Sequence, residues 1–383
     1  MIMDEREQLY RKKLQKKRSR DRIKRKRRRI QHFICGCVIL SVTIVFVAVL
    51  LKSFNFDNED IKEDQADKEE TLSVTKEDEK SSAVITLEEN ITNTLLLGEA
   101  FVEPGYKAAD KDGTDLTGQV EVDTTGVNHA GIQQIVYTVK DSKGRETKTV
   151  REIEILPNTQ YDTTGLPICM FHYIYDKNNP PEDLNSNFIS TDVLEEELKY
   201  LKENNYYFPT WQEVRDYIDG RMLLPSNSIV LCFDDNPLLI ELGFPIFKKY
   251  EVPVTCFVIT GYWESKEALM QYKSEYVNFE THSHYMHEAG GTVGHGGIYT
   301  AMSNEEIISD LRQSIEMCGN GNAFAYPFGD YTEDRISALQ EVGLLCAVTT
   351  EYGKSYPGYN PYTLPRIRMS DGQTLEEFIA KIQ

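Results

Sequence analysis

Ser228-Ile229-Val230-Leu231-Cys232-Phe233-Asp234-Asp235 is a short apolar run that ends on two adjacent carboxylates. An unbroken apolar stretch of this length, without polar alternation, predicts a strand buried on both faces, as in parallel sheets. The surrounding residues agree. Runs 252–259, 323–326 and 344–349 read as further strands, and helical patterns lie between them. Segment 193–204 carries Leu194, Leu198 and Leu201 on one stripe, Ser303 opens a capped helix, and 333–342 forms another. Strands alternating with helices predict βα units, and the length of 165–383 suits an α/β domain closed as a distorted (β/α) barrel.

In βα enzymes the catalytic groups stand at the C-terminal ends of strands, where Asp234 and Asp235 fall. An Asp-Asp-Asn-Pro sequence also suits a strand-to-helix turn with Pro237 in the first turn, so the pair alone does not decide the matter. A second cluster does. Thr281-His282-Ser283-His284-Tyr285-Met286-His287 holds three of the chain's seven histidines. Neutral imidazoles together with a carboxylate make an open ligand set for a transition metal. The five cysteines beyond the first 51 residues (Cys169, Cys232, Cys256, Cys318 and Cys346) show no metal-type spacing. Most lie in apolar runs, which predicts small buried hydrophobes and no disulfide framework.

Upstream the character changes repeatedly. Residues 1–31 hold fifteen Lys/Arg against four Asp/Glu, whereas the whole chain carries a net charge of −19. Segment 33–51 has no charge and is about 28 Å long as a helix, enough to span a bilayer. These features predict a basic cytoplasmic tail (1–31), a single transmembrane helix (32–52) and an extracellular remainder, anchored in the cell membrane. No small-residue cleavage pattern follows the apolar segment, so it reads as a retained anchor rather than a signal peptide. The basic run is then an orientation signal, and no nucleic-acid partner is expected. Residues 53–82 read as an acidic disordered linker, with eleven acids against four lysines between 57 and 80.

Residues 83–157 alternate β-branched and polar residues between turn signals, which predicts a small all-β sandwich. Runs 133–139 and 147–155 form a hairpin across Asp141-Ser142-Lys143-Gly144. The stretches "EPGYKAADKDGTDLTGQV", "GIQQIVYTVKDSKGRET" and "REIEIL" resemble bacterial immunoglobulin-like surface modules. No catalytic set lies among them, and His129 stands alone as a loop histidine.

In the C-terminal part, "ICMFHYI", "FDD", "HSHYMH" and "AYPFG" resemble the motifs of the NodB-homology polysaccharide deacetylases, carbohydrate esterase family 4, across roughly 165–383. The resemblance implies Asp234 as general base and Asp235, His282 and His287 as ligands of a divalent metal, with zinc the first expectation. The five-residue histidine spacing and the early Phe-His are similar to the branch acting on poly-N-acetylglucosamine, which assigns the general acid to His172. The third motif implies that the backbone N–H of Phe328 stabilises the oxyanion. Two positions depart from the family pattern: Asn236 stands in place of Gly, and Ala325 in place of an Arg that orients the base. Arg366, in "LPRIR", is the candidate to orient Asp234 instead, and Trp263 is either a sugar-stacking wall or a packing residue.

The expected activity is therefore metal-dependent hydrolysis of N-acetyl groups from a cell-surface N-acetylglucosamine polymer, poly-N-acetylglucosamine or peptidoglycan, with release of acetate. An O-acetyl esterase is a minor enzymatic alternative. Asn236 and Ala325 motivate a rival from another class, a catalytically degenerate carbohydrate-binding or scaffolding protein. The expected partners are an N-acetylated glycan and the membrane, with no obligate protein partner evident.

Overall fold

Period-two alternation builds the first module. In the computed structural model, which describes residues 80–89 and 93–383, it contains β1 (Val84–Leu87), β2 (Thr94–Leu96), β3 (Tyr106–Ala109), β4 (Glu121–Asp123), β5 (Gly131–Lys140) and β6 (Glu146–Leu156). β1 and β3 pair with each other, and β2-β6-β5-β4 form a second sheet. β5 turns Ile135, Tyr137 and Val139 inward and β6 adds Ile153 and Ile155, closing on Ile85, Leu97 and Ala108. The β5–β6 turn is set by Asp141, whose carboxylate accepts the N–H groups of Lys143 and Arg145 while its carbonyl accepts from Gly144. Gly144 takes φ +78°, a conformation open to glycine at little cost.

The basic tail, the membrane helix expected at 32–52 and most of the acidic linker lie outside the described residues. Among the described residues no helix is long and apolar enough to cross a membrane.

The second module opens with β7 (Ile168–Phe171), β8 (Tyr173–Tyr175), β9 (Phe188–Ser190), α1 (Thr191–Glu203) and α2 (Trp211–Ile218). It continues with β10 (Val230–Asp235), α3 (Phe244–Tyr250), β11 (Val254–Val258), α4 (Lys266–Met270), β12 (Val277–Thr281) and α5 (Asn304–Cys318). β13 (Ala323–Ala325), α6 (Ile336–Glu341), β14 (Cys346–Tyr352), β15 (Leu364–Arg368) and α7 (Leu375–Ile382) complete it. Seven strands close a barrel in the order β10-β11-β12-β13-β14-β15-β7, every neighbouring pair parallel.

The strand pleat divides each strand between two cores. Ile168, Val230, Cys232, Phe257, Ala325 and Leu364 pack together in one cluster. Their neighbours Cys169, Leu231, Phe233 and Val258 pack with Leu194 and Leu198 of α1 and Phe378 of α7. α1, α5 and α7 begin on Ser190, Ser303 and Thr374, whose side chains accept a first-turn N–H. All five described cysteines are free and buried.

The two modules meet along a short strand-like seam. Ala130 N donates to Arg221 O at 2.8 Å, Leu223 N to Asn128 O at 3.0 Å, and Tyr161 Oη to Met222 O at 2.6 Å. His129 sits in this seam, bridged to Met222.

Candidate active site

Asp234 continues the row of Val230 and Cys232, so the pleat of β10 sends its carboxylate into the barrel, where it is buried. By the same alternation Asp235 would point outward with Leu231 and Phe233. It does not follow the pleat, because its backbone turns left-handed at φ +82°. Both carboxylates thereby serve one site. Of the five non-glycine residues with positive φ among the described residues, three lie here: Asp235, Ser283 (φ +79°) and Phe328 (φ +62°). Each such residue costs on the order of 1–3 kcal/mol, and such strain gathers at functional sites.

β12 delivers the histidines. His282 follows its last residue, and its Nδ1 lies 2.7 Å from the carbonyl oxygen of Ala325. A carbonyl only accepts, so Nδ1 carries the proton and Nε2 is left bare. That Nε2 lies 3.6 Å from Asp235 Oδ1, and His287 Nε2 lies 3.7 Å from the same oxygen. Burial lowers His282 to about 4 against the pull of Asp234, which keeps the ring neutral near pH 7. The loop between the two histidines is pinned by buried Asp310, whose carboxylate accepts the N–H groups of His284 and Tyr285, and by fully buried Met286. His284 is turned to Thr260, with Nδ1 2.9 Å from Oγ1, and takes no part in the cluster.

Asp235, His282 and His287 therefore present three donor atoms within 4.8 Å of one another. A tetrahedral zinc with ligands at about 2.1 Å separates neighbouring donors by about 3.4 Å, close to the 3.6 and 3.7 Å between Asp235 Oδ1 and the two imidazole nitrogens. The Oδ1 of Asp235, the bare Nε2 of His282 and the Nε2 of His287 facing the same oxygen suit a divalent cation, and three protein ligands leave positions for water and substrate.

Arg366 of β15 meets Asp234 as a fork. Nη1 and Nη2 each donate to a different carboxylate oxygen at 2.8 Å, and Nε donates to Thr349 O at 2.8 Å. Burial pushes the Asp234 carboxyl up, but the charge and hydrogen bonds of Arg366 prevail and hold it well below the usual carboxylate range. Each oxygen retains a second lone pair. The position that Ala325 leaves without an arginine is thus supplied from another strand. Asn236, the other departure, is buried and accepts from Leu238 N at 3.0 Å, capping the turn that Pro237 begins.

His172 lies just past β7, near enough to Asp234 and Asp235 for both charges to act on it. Burial lowers its pKa, the two carboxylates oppose, and the net shift is downward. Its Nδ1 is buried without a hydrogen-bond partner among the described residues. The Tyr326-Pro327-Phe328-Gly329 turn brings the Phe328 ring to 4.3 Å from that of His287. Trp263 packs edge-on to Tyr272 and against the helix-side core, which makes it a packing residue. One participant escaped the sequence reading: Tyr173 Oη donates to Asp235 Oδ2 at 2.7 Å. Its only signal in the sequence was its place beside His172.

Comparison with known proteins agrees with these two modules. Residues 85–155 match the bacterial surface protein Ig-like domain family, and residues 223–347 match the polysaccharide deacetylase family. Over 200 residues the chain is 30% identical to the poly-beta-1,6-N-acetyl-D-glucosamine N-deacetylase of Staphylococcus aureus strain MRSA252, covering 48% of this chain and 68% of that protein. The protein of the same description from Staphylococcus epidermidis is 26% identical over 203 residues, covering 48% and 69%. Among solved structures, the Streptococcus pyogenes deacetylase PplD in complex with acetate superposes with a TM-score of 0.51 at 23% identity, covering 60% of this chain and all of that one. At that identity the likeness is one of fold.

Proposed function

Because the chain belongs to the polysaccharide deacetylase family, we propose that its barrel hydrolyses N-acetyl groups from a cell-surface N-acetylglucosamine polymer and releases acetate. The observation that carries this reading is the Asp235-His282-His287 donor set standing beside an Asp234 held by Arg366. The names of the staphylococcal relatives favour poly-β-1,6-N-acetylglucosamine over peptidoglycan as the polymer.

An acetamide carbonyl is a poor electrophile. A divalent cation, zinc by preference, held by Asp235, His282 and His287 would polarise that carbonyl and make a water more acidic. Asp234 takes the proton from the attacking water, its low pKa keeping it ionised and its orientation fixed by Arg366. The backbone N–H of Phe328 donates to the oxygen on which negative charge develops. His172 returns a proton to the sugar nitrogen as the C–N bond breaks, so that one water and one amide yield acetate and a free amine. Its partnerless Nδ1 leaves hydrogen-bonding capacity available within the site.

Asn236 and Ala325 give no support to a degenerate binding protein, since one caps a turn and the arginine missing at the other is replaced by Arg366. The test is acetate release from poly-β-1,6-N-acetylglucosamine, peptidoglycan and chitooligosaccharides in parallel, before and after chelation. Release from none of them by metal-loaded protein would overturn the reading. The same reading includes a single membrane helix at 32–52 with the catalytic domain outside, supported by the charge asymmetry of the N-terminal segment. Protease added to intact cells should then remove the catalytic domain, and its protection until lysis would refute the orientation.

A further inference from the structure

The two oxygens of Asp235 have different neighbours. Oδ1 faces His282 Nε2 at 3.6 Å and His287 Nε2 at 3.7 Å, whereas Oδ2 accepts the Tyr173 hydroxyl at 2.7 Å. The phenol arrives from a separate part of the chain, 62 residues away in sequence. Its backbone is fixed in the small β8–β9 sheet, where Tyr173 N donates to Asn187 O at 2.9 Å. Its ring packs edge-on against Phe188 at 5.1 Å and against His172 at 5.9 Å. Neither the strand register nor these ring contacts depend on the hydroxyl, so the hydroxyl's orientation is imposed on Asp235 from outside.

A carboxylate left to itself rotates about its last bond and can offer a cation one oxygen or both. We propose that Tyr173 is a positioning residue that occupies Oδ2 and so confines Asp235 to binding a divalent cation through Oδ1 alone. This inference rests on the metal site of the proposed function. Single-oxygen binding keeps the coordination positions needed by water and acetamide open. Hydrogen bonds of this kind from groups around a metal ligand are worth roughly 10–100-fold in metal affinity.

Tyr173→Phe removes the hydroxyl and keeps the ring, so the aromatic contacts that hold β8 and β9 persist. Metal-free wild-type and variant proteins are titrated with Zn(II) in competition with a chromophoric chelator and with Co(II) followed by its visible absorption. The expected result is about 10–100-fold weaker binding of both cations by the variant. The cobalt bands should also weaken as a second carboxylate oxygen raises the coordination number, while the far-UV circular dichroism spectrum of the metal-free variant stays that of wild-type. A variant that matches wild-type in affinity and cobalt spectrum would overturn the role of Tyr173 and leave the metal site standing. A wild-type protein that binds neither cation would overturn the metal site, and this inference with it.

Discussion

Arg366 and Asp234 face one another as fork on fork, both pairs of atoms 2.8 Å apart, with β7 lying between the strands that carry them. Both side chains are buried. Such a pair stands or falls together, because removing one partner leaves the other charge without compensation in a medium that solvates it poorly.

Arg366→Ala should therefore destabilise the fold by about 3–5 kcal/mol, read from chemical denaturation. The double variant Asp234→Asn with Arg366→Ala should lose less than the sum of the single changes. Additive losses would mean that the two groups are not coupled. Arg366→Lys keeps the charge but not the fork, and should lower turnover by roughly tenfold or more with little change in metal content.

The two outer histidines of the 282–287 cluster should behave differently from the middle one. His282→Ala, His287→Ala and Asp235→Ala should each abolish tight binding of a divalent cation, measured by elemental analysis after dialysis. His284→Ala should retain it, because that ring is engaged with Thr260 rather than with the donor set. Loss of metal in His284→Ala, with retention in His282→Ala, would reverse the ligand assignment.

Much of this site is legible in the sequence. The unbroken run up to Phe233, the Asp pair at its end and the crowding of His282, His284 and His287 needed only local pattern. Other parts lay beyond local pattern for physical reasons, and the pairing of Arg366 with Asp234 and the choice of His282 and His287 entered only through the family resemblance. β12 contains Asn278 and Glu280, and Glu280 is buried because it accepts from Asn322 and Ala323, so the strand lacks an apolar signature. Arg366 and Asp234 are 132 residues apart and meet only because the barrel closes β15 onto β7. The choice among three close histidines follows from Thr260, Asp310 and Ala325, none of which is near them in sequence. The left-handed turn at Asp235 has no sequence signal, since neither Asp nor the following Asn requires it.

Glu197 of α1 makes the fold sensitive to alkali. Its side chain is buried, accepts from Gln373 Nε2 at 2.5 Å through one oxygen, and has no partner for the other among the described residues. Burial pushes its pKa up from 4.5 to about 8. The folded state therefore holds a proton that the unfolded chain gives up near 4.5. The associated stability is complete below that value and is lost as the pH rises toward about 8, at up to ~1.4 kcal/mol per pH unit. Melting curves between pH 5 and 8 should show this decline in wild-type protein and a much flatter profile in Glu197→Gln. Parallel profiles would show that Glu197 titrates alike in both states.

His172 sets the other pH dependence, and here the readout is catalysis. A general acid acts only while it holds its proton, so its deprotonation appears as a fall in kcat/KM with rising pH. Burial lowers His172 from the ordinary 6.5, and the charges of Asp234 and Asp235 only partly restore it, so the fall should begin on the acid side of that value. Asp234, held low by Arg366, is already ionised throughout this range and contributes no limb there. His172→Ala should reduce turnover by roughly 10²-fold or more with its metal retained, because the side chain is not among the three proposed ligands. The remaining activity should lack the alkaline limb, and added imidazole should restore part of the rate by entering the space that the side chain leaves. A His172→Ala protein that releases acetate at nearly the wild-type rate, with the same pH profile, would assign His172 to packing and transfer the acid's role to another group.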